Sequence, residues 1–114
     1  GKDLEHRREE LKKLYEQYIG PYELYHNATI DVAMRALASY DEGQRLERME
    51  MLAELYYAEA DTVTGPDRNF LLDKALNLFS FIERNGKTFS MDRRYKMALI
   101  EQRLKKCSGK TRCE

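Results

Sequence analysis

The chain has 114 residues and no net charge; 42% of its residues are hydrophobic, 35% are charged, and only two are proline. This length suits one domain with a single core, and this composition favours amphipathic helices over disorder or a β-sandwich. No apolar run approaches the length of a membrane-spanning helix, so a cytoplasmic location is favoured, with a removed N-terminal signal as the alternative.

Apolar residues spaced three or four apart predict five helices, the first from about residue 2 to residue 19. Its apolar side is formed by Leu4, Leu11, Leu14, Tyr15 and Tyr18. Gly20-Pro21 separates it from the second helix, because proline at a first helical position loses no hydrogen bond. The second helix is predicted to run unbroken to Tyr40, so that Asn27-Ala28-Thr29, a glycosylation sequon, lies inside it.

The third and fourth predicted helices are separated by Thr64-Gly65-Pro66-Asp67. The third opens at Asp41 and keeps its apolar period as far as Val63. The fourth is the most apolar of the five and ends at Asn85-Gly86. Three of its residues are predicted to lie in the main core: Leu76, Phe79 and Ile82.

Ser90 is the predicted cap of the fifth helix, which runs to about residue 106. No segment alternates with the period of two that marks a strand. The predicted fold is therefore all-α, a five-helix antiparallel bundle. Residues 1–107 are predicted to form one helical domain, and residues 108–114 a mobile basic tail.

A faint internal repeat links the two halves of the chain. Leu11-x-x-Leu14-Tyr15 recurs as Leu52-x-x-Leu55-Tyr56, and a Gly-Pro pair follows each copy. Tyr56, Ala75 and Phe79 also fall in the order of a known signature, so residues 52–79 resemble tetratricopeptide-like helical hairpins. The helix-A glycine of that family is absent, and the turn is longer. The resemblance implies two hairpins plus a terminal helix, with any other antiparallel bundle as the alternative.

Charge is segregated along the chain. Residues 1–83 hold ten Lys or Arg against seventeen Asp or Glu, whereas residues 84–114 hold ten against three. The predicted basic surface consists of Arg93, Arg94, Lys96, Arg103, Lys105, Lys106, Lys110 and Arg112. The predicted acidic counter-surface, within one molecule or across a dimer, consists of Glu42, Glu47, Glu50, Glu54, Glu59 and Asp61.

The fifth helix carries two apolar stripes on nearly opposite sides. One consists of Met91, Tyr95, Ala98 and Leu99, and the other of Met97, Ile100, Leu104 and Cys107. One helix face cannot cover both stripes at 100° per residue. The second stripe is therefore inserted between other helices or offered to a partner, and we take Met97, Ile100 and Leu104 as the predicted partner-binding residues.

Motifs that would supply chemistry are incomplete. Glu23-x-x-His26 has the spacing of a di-iron ligand pair, but the second copy that such a site needs is missing. Ser108-Gly109-Lys110-Thr111 looks like the end of a P-loop, yet it lacks the earlier glycine and the preceding strand. Cys107 and Cys113 have basic neighbours but no predicted histidine partner. The sequence therefore predicts no metal, no cofactor and no enzymatic activity.

The favoured function is a non-catalytic protein–protein interaction module. Its partner is a protein or peptide, or a second copy of the chain, and the fifth helix contributes to the binding surface. The alternative is binding of nucleic acid or another anionic surface by residues 84–112, where aromatic residues between the basic ones are few.

Overall fold

The computed structural model describes the backbone of residues 2–108 and the side chains of residues 3–105. Six helices occur in this range: α1 (Lys2–Tyr18), α2 (Tyr22–Asn27), α3 (Ile30–Leu37), α4 (Glu42–Ala60), α5 (Gly65–Asn85) and α6 (Met91–Ser108). The described residues contain no strand, which confirms the all-α prediction. None of the described helices has the length and apolar character needed to cross a bilayer. The predicted tail lies outside the described residues, apart from the backbone of Ser108.

The prediction of five helices is wrong because the second one is interrupted. Ala28 adopts an extended conformation after α2, and Thr29 begins α3 as its N-cap. The Thr29 hydroxyl accepts a hydrogen bond from the Val32 amide at 3.4 Å. It thus provides the acceptor that a carbonyl of a preceding helical turn would otherwise provide. The Asn27-Ala28-Thr29 sequence therefore lies across a break between helices.

The break is stabilised from α5 by a buried lysine. Lys74 Nζ donates to the carbonyl oxygens of Tyr25, His26 and Ala28 at 3.2, 3.0 and 2.8 Å. The Tyr56 hydroxyl also donates to the Tyr25 carbonyl, at 2.6 Å. Helix ends leave carbonyl groups unpaired, so these donors replace the bonds that a continuous helix would have made.

The ammonium group of Lys74 is enclosed by aromatic rings as well as carbonyls. Its nitrogen lies 4.2 Å from the centroid of the Tyr56 ring and 4.1 Å from that of Phe70. These faces carry negative charge density and partly replace the water that the cation has lost. Lys74 is thus a structural cation that joins α5 to the end of α2.

The α4–α5 hairpin is the centre of the molecule. Residues 61–64 connect the two helices, which share the largest interface of the fold, and this short connection makes them antiparallel. The first helix packs on α4, and α6 packs on α5. Phe79 and Ile82 are buried in the core, and Leu76 is partly buried against it.

Candidate functional site

An open apolar groove of about 610 Å³ runs between α1 and α4. It is lined by Leu11, Leu14, Tyr18, Glu47, Glu50, Met51, Glu54, Leu55 and Ala58. Leu11 and Leu55 are buried, whereas Leu14, Tyr18 and Met51 are 38%, 39% and 38% exposed. Every charged residue of this lining is a glutamate, and we call the feature the acidic-rimmed groove.

The groove keeps its width because α1 and α4 are tied together at its end. Arg48 of α4 donates to the carbonyl oxygen of Tyr18, the last residue of α1. The same guanidinium lies 5.1 Å from the centroid of the Tyr40 ring, and the Tyr40 hydroxyl donates to the Ile19 carbonyl at 3.2 Å. Two side chains from later in the chain therefore satisfy the carbonyls at the end of α1.

One rim of the groove is shared with α6. Glu50 pairs with Arg93, and Glu54 pairs with Lys96. Further along, Asp61 lies 3.6 Å from Arg103. The acidic counter-surface expected from the sequence is thus met within one molecule at these three residues. It does not include Glu59, which lies in the interior.

The structure places the predicted partner-binding stripe on the inner side of α6. Ile100 is fully buried in the core, and Met97 and Leu104 are partly buried against it. Ile100 is therefore not available to a partner. The opposite stripe faces outward, with Met91 75% and Tyr95 65% exposed. A contribution of α6 to partner binding stays a prediction, and it would have to use this outer side.

The predicted basic surface is divided by the fold. Arg93 is only 1% exposed, so its assignment to the surface is wrong. Its guanidinium donates to Glu50, to Glu83 and to the Thr88 carbonyl, and so it connects α6 to α4, α5 and the loop before α6. Burial opposes the charged form of Arg93, but the hydrogen bonds that it donates to Glu83 and Glu50 keep its pKa above the ordinary value.

The other predicted basic residues are at or near the surface, or lie outside the described side chains. Arg94 is exposed and pairs with Glu83, while Lys96 pairs with Glu54 and Asp92. Hydrogen bonds from Arg93 and Arg94 hold the pKa of Glu83 below its usual range. Arg103 and Lys105 are exposed. Of the basic and cysteine residues singled out in the sequence, five have side chains outside the described range: Lys106, Cys107, Lys110, Arg112 and Cys113.

A buried carboxylate organises the polar interior between α1, α2 and α4. Glu59, which is 2% exposed, accepts hydrogen bonds from the hydroxyls of Tyr15 at 2.7 Å and Tyr22 at 2.6 Å. His26 Nδ1 lies 2.7 Å from Oε2 of Glu59, and the imidazole stacks on the Tyr22 ring. The hydroxyls of Tyr15 and Tyr22 therefore satisfy a buried charge.

His26 is one third exposed and lines two adjoining clefts. It contacts Glu59 rather than Glu23, whose carboxylate accepts from Asn27. Among the described residues that line the clefts there is no serine, threonine or cysteine to act as a nucleophile. Within the same described range, no group of three or more metal-ligating side chains comes together.

The buried network predicts how stability changes at alkaline pH. Burial, reinforced by Glu59, raises the pKa of Tyr15, Tyr22 and Tyr56, whereas burial lowers the pKa of Lys74 to about 8. Unfolded tyrosine and lysine titrate at about 10 and 10.4. The Lys74 effect should therefore raise stability between about pH 8 and pH 10.4, because the unfolded chain binds more protons there. The tyrosines should lower it above about pH 10, by up to about 1.4 kcal/mol per pH unit for each group.

Urea unfolding midpoints measured from pH 7 to pH 11 test these signs. The midpoint of the parent should rise modestly above pH 8 and then decrease above pH 10. The midpoint of Tyr15→Phe should be lower overall but should decrease less steeply above pH 10, because one fewer hydroxyl ionises on unfolding. Equal slopes for the parent and Tyr15→Phe above pH 10 would contradict the assignment.

Sequence reasoning missed Glu59 as the centre of this network and treated it as a surface acid. A usable signal was its position on α4, where it follows Tyr56 by three residues and precedes Ala60, both on the buried side. A carboxylate on an inward helix face requires hydrogen-bond donors. Tyr15 and Tyr22 were the aromatic residues able to provide them.

Compared with models of protein families, with curated proteins and with solved structures, the chain shows no significant match to any of them.

Proposed function

We propose that this protein is a non-catalytic protein-binding module whose acidic-rimmed groove holds an amphipathic helix with basic flanks. The observation that carries the proposal is the groove itself: a concave apolar surface between two helices whose charged lining is entirely acidic. Exposed apolar surface that is concave and rimmed by charge is typical of a binding site.

The shape of the groove favours a helical ligand. Its apolar walls come from successive turns of α1 and α4, with Leu14 and Tyr18 on one side and Met51 on the other. A helix placed between two helices offers side chains at three- and four-residue spacings, which is the usual mode of helix-in-groove recognition. The glutamates would then meet Lys or Arg flanking the apolar face and would fix the ligand's orientation.

The tetratricopeptide-like pairing belongs to the same proposal, since hairpin repeats present grooves between neighbouring helices. Its support comes from the α4–α5 hairpin. Tyr56, Ala75 and Phe79, which carry the resemblance, are all fully buried in the α4–α5 pair.

Peptide binding tests the groove directly. The probe is a fluorescent 18-residue helix with leucines on one face and lysines along its flanks, titrated at 0.05 M salt. Leu14→Glu should weaken binding at least tenfold, because it places a charge among apolar contacts. Leu24→Glu is the matched control and should bind like the parent, since Leu24 is exposed on α2 outside the groove.

Three outcomes would overturn the proposal. The first is no binding of the basic peptide at about 1 mM, and the second is equal loss in Leu14→Glu and Leu24→Glu. The third is tight binding of random duplex DNA at 0.2 M salt, which would favour the nucleic-acid alternative, because non-specific phosphate contacts weaken strongly at that ionic strength.

A further inference from the structure

We infer that the groove of one copy of this chain binds the start of α6 of a second copy. This inference rests on the proposed function, because it requires that the acidic-rimmed groove accept an apolar segment with basic neighbours. The binding segment would be the helix-six patch, which consists of Phe89, Met91 and Tyr95.

The helix-six patch has the largest exposures among the described large apolar side chains. Phe89, Met91 and Tyr95 are 66%, 75% and 65% exposed, whereas the other exposed ones fall between 38% and 45%. Three such side chains within seven residues are more than scattered surface apolar residues. The guanidinium of Arg94 lies 4.6 Å from the centroid of the Phe89 ring, so a cation forms part of the same surface.

The charges of the two surfaces are complementary. Residues 84–95 expose three basic side chains, Arg84, Lys87 and Arg94, and one acidic one, whereas the charged lining of the groove is three glutamates. Two of these glutamates, Glu50 and Glu54, already pair with Arg93 and Lys96 of their own α6. Each of these two glutamate side chains nevertheless stays 37% exposed, and the third glutamate, Glu47, is exposed, so the rim can accept further basic side chains.

The two surfaces also match in length. Met91 and Tyr95 are one turn apart on α6, about 6 Å at a helical rise of 1.5 Å per residue, and Phe89 lies in the loop two residues before the helix, which lengthens the patch. Leu11 to Tyr18 on α1 cover about 10 Å by the same rise, which is enough for the patch to lie along this side of the groove.

The groove and the patch are different surfaces of one chain, so this contact is heterologous. A heterologous contact leaves one free groove and one free patch at the ends of any open assembly. Self-association should therefore proceed beyond a dimer, to a ring or a chain, as concentration rises.

Complementation between two single variants tests this contact. Tyr95→Glu removes the patch and Leu14→Glu removes the groove, so each variant alone should sediment as a monomer from 10 µM to 1 mM at 0.05 M salt. An equimolar mixture should form a heterodimer and nothing larger, because only one groove and one patch remain intact. The parent should form larger species, and these should dissociate at 0.5 M salt.

Controls separate this result from misfolding. Leu24→Glu should assemble like the parent. Each variant should keep the parent's circular dichroism, and Met51→Glu replaces Leu14→Glu if the latter does not fold.

The inference is overturned if the parent remains a monomer at 1 mM. It is also overturned if the mixture does not associate, or if Leu14→Glu alone still self-associates. If the parent is a monomer but still binds the basic peptide in a Leu14-dependent way, this inference fails while the proposed function stands.

Discussion

Replacing Lys74 with Met should lower the free energy of unfolding by about 2–4 kcal/mol. Met matches the length of the side chain but cannot donate to the Tyr25, His26 and Ala28 carbonyls. A buried acceptor without a donor costs about 1–3 kcal/mol. The Tyr25 carbonyl keeps the Tyr56 hydroxyl, whereas the His26 and Ala28 carbonyls lose the ammonium donor. Burying the Lys74 cation itself costs free energy, so its removal offsets part of the loss and keeps the expected decrease below about 4 kcal/mol.

Urea denaturation at pH 7 measures this change. Lys13→Met is the matched control, because Lys13 is exposed on α1 and its contact with Glu10 is 4.0 Å long. Such a surface change should shift the free energy of unfolding by less than about 0.5 kcal/mol. A Lys74→Met protein as stable as Lys13→Met would show that the carbonyls find other donors, and that Lys74 does not hold the break between α2 and α3.

Phe79→Ala should lower the free energy of unfolding by about 3–5 kcal/mol, the range for truncating a fully buried aromatic side chain. Phe79 is fully buried in α5, the helix that contacts both α4 and α6. The loss combines the transfer free energy of the ring with the cavity that remains.

Phe89→Ala makes the matched comparison, because it removes the same atoms from a ring that is 66% exposed. We expect the free energy of unfolding to decrease by less than about 1 kcal/mol, mostly because the contact between Phe89 and Arg94 is lost. Both variants should be measured at low protein concentration, where self-association does not contribute. Similar losses in the two proteins would contradict the placement of α5 at the centre of the core.

The parts of the fold that the sequence predicted are those determined locally. The Gly-Pro pairs at Gly20-Pro21 and Gly65-Pro66 separate helices, and Ser90 caps α6 by accepting from the Arg93 amide at 3.1 Å. The apolar run of α5 likewise identified Phe79 and Ile82 as core residues. In each case the residues that carry the sequence pattern lie within one or two helical turns of the feature that they predict.

The parts that the sequence did not predict depend on distant residues. The break after Asn27 is held by Lys74, which is more than forty residues away. The two stripes of α6 are equally apolar in sequence, and only the contacts with α5 decide that Ile100 faces inward. Arginine is usually exposed. Arg93 is buried because Glu50 and Glu83 pair with it, and both glutamates are too distant in sequence to be recognised from the residues next to Arg93.

The acidic-rimmed groove was not predicted for a related reason. Its walls come from α1 and α4, and Leu14 and Tyr18 have the same spacing as the buried Leu11 and Tyr15. Periodicity assigns all four to one apolar face of α1. The apolar face of α1 is wider than the strip that α4 covers, and the position of α4 decides which of the four remain exposed.

The break between α2 and α3 has a consequence for the order of folding during synthesis. Its donor, Lys74, leaves the ribosome long after the carbonyls of residues 25–28, and contacts so distant in sequence form late. Until then, the period of residues 22–40 favours one continuous helix. We therefore expect the break to become stable only when α5 arrives. We expect a fragment that ends before Lys74 to keep the local Thr29 cap but to lack the donor that stabilises the carbonyls at the end of α2.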